Sequence, residues 1–378
     1  MAAQPPLDVC ELAPDYVKRI APYQPGKPIS ELAREMNLDP AKIIKLASNE
    51  NPLGVSPRAR AALEREIAGL SLYPDGSAFE LKQAVSARYG WPADGIVVGN
   101  GSNDVLEIAA IALLGAGGSA VFSQHAFAVY PLATIARGAR PIQVPARHYG
   151  HDLDAMARAI VPDTRMVFIA NPNNPTGTYL DPEQIGHFLA RVPKQVCVVI
   201  DEAYNEYLPP PQRFDSVRWL HQHSNVVIVR TFSKIYGLAG LRVGFGLADP
   251  RIIDLFNRVR QPFNVNNLAL AAAEAALDDE AFLLKSYETN RAGMAQLEAG
   301  FRALGLAFIP PSGNFVTVEI PRSSGKSQAA AVFDRLLRRG VIVRPVAGYE
   351  LPDHLRVTIG TPEENTAFLA ALEASLKG

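Results

Sequence analysis

Short apolar runs rich in β-branched residues alternate with longer amphipathic stretches along the first two thirds of the chain. The runs are IIKLASN (43–49), SAVFS (119–123), PIQVP (141–145), MVFIA (166–170), VCVVI (196–200), NVVIV (225–229) and VGFGL (243–247). Between them, helical periodicity covers roughly 56–70, 77–89, 103–114, 127–138, 152–160, 181–192 and 215–223. Runs of about five buried residues separated by helices are the mark of an α/β fold with a mostly parallel central sheet flanked by helices. After Asn266 the pattern changes. Two Ala/Leu/Glu-rich helices (266–279 and 280–304) precede AFIPPSGNFVTVEI, a helix at 328–339, VIVRPV, LRVTIG and a last helix. These read as a smaller α+β domain. The expected division is an amino-terminal arm at 1–52 that joins the small domain, a large domain at 53–265 and a small carboxyl-terminal domain at 266–378. No fixed-period repeat is visible.

Composition narrows the partners. Of 378 residues 48% are hydrophobic and 20% charged, with a formal charge of −1. That leaves no basic footprint for nucleic acid or an anionic membrane. The richest apolar stretch, Val105–Leu114, is shorter than a membrane span and contains Glu107. Two cysteines, Cys10 and Cys197, and an opening segment without a basic or apolar leader pattern point to a reducing, cytoplasmic setting.

Each apolar run ends in polar residues, and in open α/β sheets ligands bind beyond the carboxyl ends of the strands. VVGNGSND (97–104) puts Ser102 and Asn103 where a helix begins. They either cap that helix or help form an anion site at its amino terminus. ANPNNPTG (170–177) makes a rigid turn after a strand and can present the Asn174 amide. VVIDEAYNEY (198–207) ends a buried strand on Asp201, where a carboxylate is costly unless paired. It could face a protonated heterocyclic nitrogen, or hold Mg²⁺ as in a nucleotide-binding protein. The second option needs a phosphate loop, and the one GKS, Gly325-Lys326-Ser327, has Ile320 where that loop needs glycine. VRTFSKIYGLAGLRVGFG (229–246) surrounds Lys234 with hydroxyls, glycines and Arg242. A lysine near apolar surface and a second cation can lose its proton near neutral pH and act as a nucleophile. Thr231, Ser233 and Arg242 suit a phosphate. His221 and His223 do not share a helix face and have no acid or cysteine cluster nearby, so no metal is expected.

These four motifs, in this order, resemble the fold-type I pyridoxal-phosphate aminotransferases. With LASNENPLG (46–54), LYPD (72–75) and LRVTIG (355–360), the details resemble the histidinol-phosphate branch of that family, from about Ile43 to the carboxyl end. The resemblance implies pyridoxal 5'-phosphate carried by Lys234 as a Schiff base, with Lys234 shuttling the proton of the reaction. It implies that Asp201 pairs with the pyridine nitrogen, that Asn174 and Tyr204 hydrogen-bond the phenolic oxygen, and that Phe127 stacks on the ring. Ser102, Asn103, Thr231, Ser233 and Arg242 would bind the phosphate. Tyr73 would reach the phosphate in a neighbouring subunit, which makes the expected assembly a homodimer with shared sites. Arg356 and Arg344 would hold substrate anions, with Tyr23 and Asn49 at the entrance.

The implied reaction exchanges the amino group of histidinol phosphate with 2-oxoglutarate, a step of histidine biosynthesis. SQHAFAVY (123–130) departs from the branch, which more often carries Pro-Thr where His125-Ala126 stands. His125 is therefore either a substrate contact or a strand-end residue. An aromatic amino-acid aminotransferase on the same scaffold and a decarboxylase of a phosphorylated amino acid are the alternative activities. A cofactor-sensing regulator would need a DNA-binding module, for which the arm has neither length nor charge.

Overall fold

The computed structural model describes residues 8–377, so the first seven residues of the expected arm lie outside the described residues. Among the described residues thirteen strands are formed: β1 (Ile44–Lys45), β2 (Ile96–Gly99), β3 (Ser119–Ser123), β4 (Arg140–Val144), β5 (Thr164–Ala170), β6 (Cys197–Asp201), β7 (Val226–Thr231), β8 (Gly244–Ala248), β9 (Phe308–Ile309), β10 (Phe315–Glu319), β11 (Val341–Ile342), β12 (Arg344–Pro345) and β13 (His354–Thr358). Seven make the central sheet, in the order β2-β8-β7-β6-β5-β3-β4. β8 runs antiparallel to both neighbours and the other pairings are parallel. The fold is the expected α/β one, a mostly parallel sheet with helices packed on it and a smaller sheet beside it.

The central strands β6 and β7 are buried along their whole length. Two apolar clusters sit on the sheet, one including Val198, Ile200, Val226 and Ile228 and the other Val199, Val227 and Val229. That alternation is why these strands read as continuous apolar runs. The helix Asn267–Leu277, expected in the carboxyl-terminal domain, adds Ala269, Ala272, Ala273 and Ala276 to the first of these clusters. The cluster of the smaller sheet takes its residues from Met294 onward, together with Leu46 of the arm. The smaller sheet itself is antiparallel, in the order β12-β13-β10-β9.

Three local features differ from expectation. The 43–49 run forms only a two-residue strand, β1, paired parallel to β11. Asn49 has φ 56°, which ends the extended conformation and turns its backbone N–H to the Thr358 hydroxyl at 2.9 Å. Ile96–Gly99 forms a strand, β2, just ahead of the helix that begins at Ser102. A helix at Pro250–Val259, not foreseen, starts on Asp249, whose side chain accepts the Arg251 N–H, with Pro250 in its first turn.

Candidate active site

The ends of β5, β6 and β7 and the start of the helix Ser102–Leu113 surround a cavity of about 290 Å³. Lys234 reaches it from the bend after β7. Its Nζ donates to the Ser48 carbonyl at 3.2 Å and lies 5.8 Å from the centre of the Tyr204 ring. Burial, with Arg356 and Arg242 adding positive charge, brings its pKa down to about 8. An ordinary lysine would be almost wholly protonated at neutral pH; this one has an accessible free-amine form.

At one end of the cavity stands Asp201, the last residue of β6 and 6% exposed. Its Oδ2 accepts the Tyr130 hydroxyl at 3.0 Å and its Oδ1 the Ala203 N–H at 3.1 Å. Burial nevertheless raises its pKa to about 6. A carboxylate so placed calls for a cationic partner in the cavity. At the other end, Ser102 and Asn103 open their helix after Gly101, and no side chain caps it. The capping role left open for them is therefore not taken up, and their N–H groups and partial positive charge stay available. Arg242 Nη1 donates to Ser233 Oγ at 3.2 Å, and Thr231 Oγ1 accepts the Ser233 N–H at 3.1 Å. Gly101 makes room for this arginine: a Cβ there would lie 2.4 Å from Arg242 Nη2. Asn174, Tyr204 and Phe127 line the middle. Phe127 meets Tyr130 edge-on with ring centres 5.9 Å apart.

A cation-seeking carboxylate at one end, a nucleophilic amine in the middle, and hydroxyls, an arginine and a helix amino terminus at the other suit a phosphorylated, aldehyde-bearing pyridine. The chemistry of the donor set that lines the cavity fits pyridoxal phosphate.

Other expected residues meet the site from outside its lining. Asn49 donates to the Tyr204 hydroxyl at 2.9 Å. Arg356, on β13, donates from Nη1 to Asn174 Oδ1 and from Nη2 to the Ala47 carbonyl at 2.8 Å. Its Nε has no partner among the described residues. Arg344 lies directly across from Arg356 in the β12–β13 pairing and bonds the Gln24 carbonyl at 2.6 Å, with the Tyr23 ring 5.6 Å from its guanidinium. Tyr73 is not brought in. It is 82% exposed and stacks on Phe263 at 4.9 Å. His125 is buried outside the cavity, with Nδ1 2.7 Å from the Tyr349 carbonyl, a strand-end contact. His221 packs edge-on to Trp91. Among the described residues no group of His, Cys, Asp and Glu could hold a metal, and no helix is long and apolar enough to cross a membrane.

Sequence reasoning passed over Tyr130, Ser48 and Glu50, which also line the cavity. Tyr130 follows Phe127 by three residues on an apolar helix face and stacks on Phe168 at 4.7 Å, so its pattern was that of a core residue. Ser48 contributes only a carbonyl, for which the side-chain sequence carries no signal.

Comparison with known proteins agrees with this geometry. Residues 41–372 match the family described as aminotransferase class I and II. A histidinol-phosphate aminotransferase of Nitrosospira multiformis is 58% identical over 371 residues, covering 98% of this chain and 93% of that relative. Another, from Dechloromonas aromatica, is 58% identical over 370 residues, covering 98% of this chain and all of that one. The crystal structure of the histidinol-phosphate aminotransferase of Sinorhizobium meliloti, in complex with pyridoxal-5'-phosphate, superposes with a TM-score of 0.88 at 27% identity, covering 96% of each chain. The chain belongs to the class I and II aminotransferases, in their histidinol-phosphate aminotransferase branch.

Proposed function

We propose that the chain is a pyridoxal-phosphate-dependent histidinol-phosphate aminotransferase, interconverting histidinol phosphate plus 2-oxoglutarate and imidazole acetol phosphate plus glutamate. The observation that carries this reading is Lys234, an amine with its pKa near 8, held between a buried carboxylate and a phosphate-type cradle, with Arg356 bonded to Asn174 beside it.

Bound pyridoxal phosphate supplies an electron sink for the carbon that gains or loses the amino group. Asp201 would face the pyridine nitrogen and keep it protonated. Asn174 and Tyr204 would hydrogen-bond the phenolic oxygen, and Phe127 would pack against the ring. Ser102, Asn103, Thr231, Ser233 and Arg242 would bind the phosphate. Lys234, whose amine has an accessible unprotonated form, would carry the cofactor and serve as the proton-moving base. Arg356 grips the glutamate carboxylate and, in the other half-reaction, the substrate phosphate. Arg344 and Tyr23 close the anionic end of the site, and Asn49 holds Tyr204 in place.

The assembly we propose is a cytoplasmic homodimer in which Tyr73 reaches the partner's cofactor phosphate. Its support is a group of exposed apolar residues that includes Leu72, Tyr73, Phe79 and Phe263, the kind of surface a second copy covers.

Turnover should be measured with histidinol phosphate and with phenylalanine, each against 2-oxoglutarate, in the wild type and in Lys234→Ala. Histidinol phosphate should be preferred, and the variant should lose roughly 10²- to 10⁴-fold in rate together with the visible absorbance band. Preference for phenylalanine would overturn the substrate; an intact band and full activity in the variant would overturn the mechanism.

A further inference from the structure

Beneath the cavity lies a buried charge cluster that the reaction does not use. Glu202 follows Asp201 directly, and successive residues at a strand end project to opposite sides. Asp201 lines the cavity and Glu202 does not. The Glu202 carboxylate takes two donors from Arg230, Nη2 at 2.6 Å and Nε at 3.0 Å, and the Ser216 hydroxyl at 2.9 Å. Both charged side chains are under 10% exposed. Arg230 also bonds Glu206 at 3.1 Å, in the turn after Tyr204, and lies 4.8 Å over the Tyr89 ring, whose hydroxyl is 3.4 Å from Nη1.

The position of this pair matters more than its strength. Arg230 immediately precedes Thr231 and stands four residues before Lys234, so the pair joins the segment bearing Asp201 and Tyr204 to the segment bearing Thr231, Ser233 and Lys234. The main-chain bonding of β6 to β7 ends with the Glu202 N–H on the Val229 carbonyl at 2.9 Å. Beyond it, Arg230 is the side-chain tie between the two segments. A buried ion pair is weak support for stability, since apolar residues of similar volume often serve as well. The two arms of the Arg230 fork converge on one oxygen, Glu202 Oε2, and that planar grip fixes a geometry instead.

We propose that the Glu202–Arg230 pair is a positioning clamp that sets the spacing of Asp201 and Lys234 across the cofactor. The proposal rests on the aminotransferase reading above.

The test compares wild-type holoenzyme with the apolar double variant Glu202→Leu/Arg230→Met and with Arg230→Lys. The readouts are thermal unfolding, half-saturation by pyridoxal phosphate, the pH midpoint of the cofactor's visible band, and kcat and KM for both substrates. The double variant should unfold near the wild-type temperature yet titrate with its midpoint moved by about half a pH unit or more. Its kcat should fall on the order of 10-fold or more, as for a misplaced reacting group, with KM changed by less than about twofold. Arg230→Lys keeps the charge and loses the fork; it should bind the cofactor more weakly and move the midpoint in the same direction. Wild-type midpoint and kcat per bound cofactor in the double variant would overturn the clamp. So would activity that falls only with the folded fraction. Should the double variant fail to fold, Arg230→Lys decides: wild-type half-saturation and midpoint overturn the clamp, displaced values support it. A wild-type protein with no visible band on adding pyridoxal phosphate would overturn the aminotransferase reading and the clamp with it.

Discussion

The two sides of the site are built on different principles. The cradle side stands on the ends of the central strands, where Asp201, Thr231 and Ser233 are buried and, apart from the Tyr130 hydroxyl on Asp201, bonded to residues nearby in sequence. The side facing it pairs β12 with β13, setting Arg344 opposite Arg356, and draws on the arm through Tyr23 and Gln24. Arg356 is buried and bonded to the cradle, whereas Arg344 is half-buried and bonded to the arm. Groups that must hold a cofactor rigidly sit where packing leaves no alternative. Groups that must admit and release two different substrates sit on separate pieces of chain that meet.

The sharpest break between the two sides should come from Asp201→Asn. It keeps the shape and removes the charge proposed to face the ring nitrogen. We expect kcat to fall roughly 10²- to 10³-fold, the range for losing one preorganised electrostatic group, with KM for the amino donor nearly unchanged. A KM effect with normal kcat would show that the carboxylate belongs to the substrate side after all.

On the facing side, Arg356→Gln should act on binding. A lost charge-assisted hydrogen bond pair costs about 1.5–3 kcal/mol, which is roughly 10- to 100-fold in KM for glutamate. Arg344→Gln, at a more exposed position, should cost less than about 10-fold, and its effect should shrink as salt rises. Steady-state kinetics at two ionic strengths separates the pair. Equal, salt-independent losses at both positions would dissolve the distinction between a buried grip and an exposed one.

The same division governs what the sequence made legible. GNGSND, NPNNPTG, DEAY and TFSK each lie within one strand end and its turn, so local pattern revealed both the residues and their rim. Tyr130 was hidden because its ring satisfies the helix's apolar pattern while its hydroxyl serves Asp201, a residue 71 positions away. Asn49 reaches Tyr204 across 155 positions and Thr358 across 309. Its φ of 56° goes with those distant partners, and the expected strand is short because β11 offers a partner to Ile44 and Lys45 alone. The antiparallel course of β8 was equally unreadable, because burial on both faces makes parallel and antiparallel strands look alike in sequence. Tyr73 was recognisable only by resemblance, and its ring stacks on Phe263 outside the cavity.

The cradle should also reveal itself in the stability of the cofactor-free chain. Asp201 titrates near 6 when folded against 3.8 ordinarily, so the folded chain binds the extra proton between those values. Stability from this group therefore falls as pH rises through that window, and the loss is complete above it. Lys234 is the mirror case: its pKa near 8 against 10.5 means the unfolded chain binds the extra proton, so stability rises from about pH 8 upward. At pH 7 both groups work against folding. Asp201→Asn or Lys234→Met should then raise the Tm of the cofactor-free protein by roughly 2–4 °C, while Arg344→Gln leaves it unchanged. Thermal unfolding at pH 5, 7 and 9 checks the signs: the Asn gain should be smaller at pH 5 than at 7, and the Met gain smaller at pH 9. Gains that ignore pH would mean that the free cradle carries no electrostatic strain.

The smallest effect should come from the residue that sequence reasoning overlooked. Tyr130→Phe keeps the ring stack on Phe168 and deletes one hydroxyl donor to Asp201. One such bond is worth about 1 kcal/mol, so kcat/KM should drop only several-fold near neutral pH. The hydroxyl holds the Asp201 pKa down against the effect of burial. Without it the carboxyl should protonate at higher pH, and the acidic limb of the kcat profile should move upward. An arginine-side variant such as Arg344→Gln should leave that limb in place, because it touches no group that titrates with Asp201. If Tyr130→Phe lowers activity without moving the limb, Tyr130 supports the site by packing alone, and the cradle's electrostatics rest on Asp201 and Lys234 without help from the helix behind them.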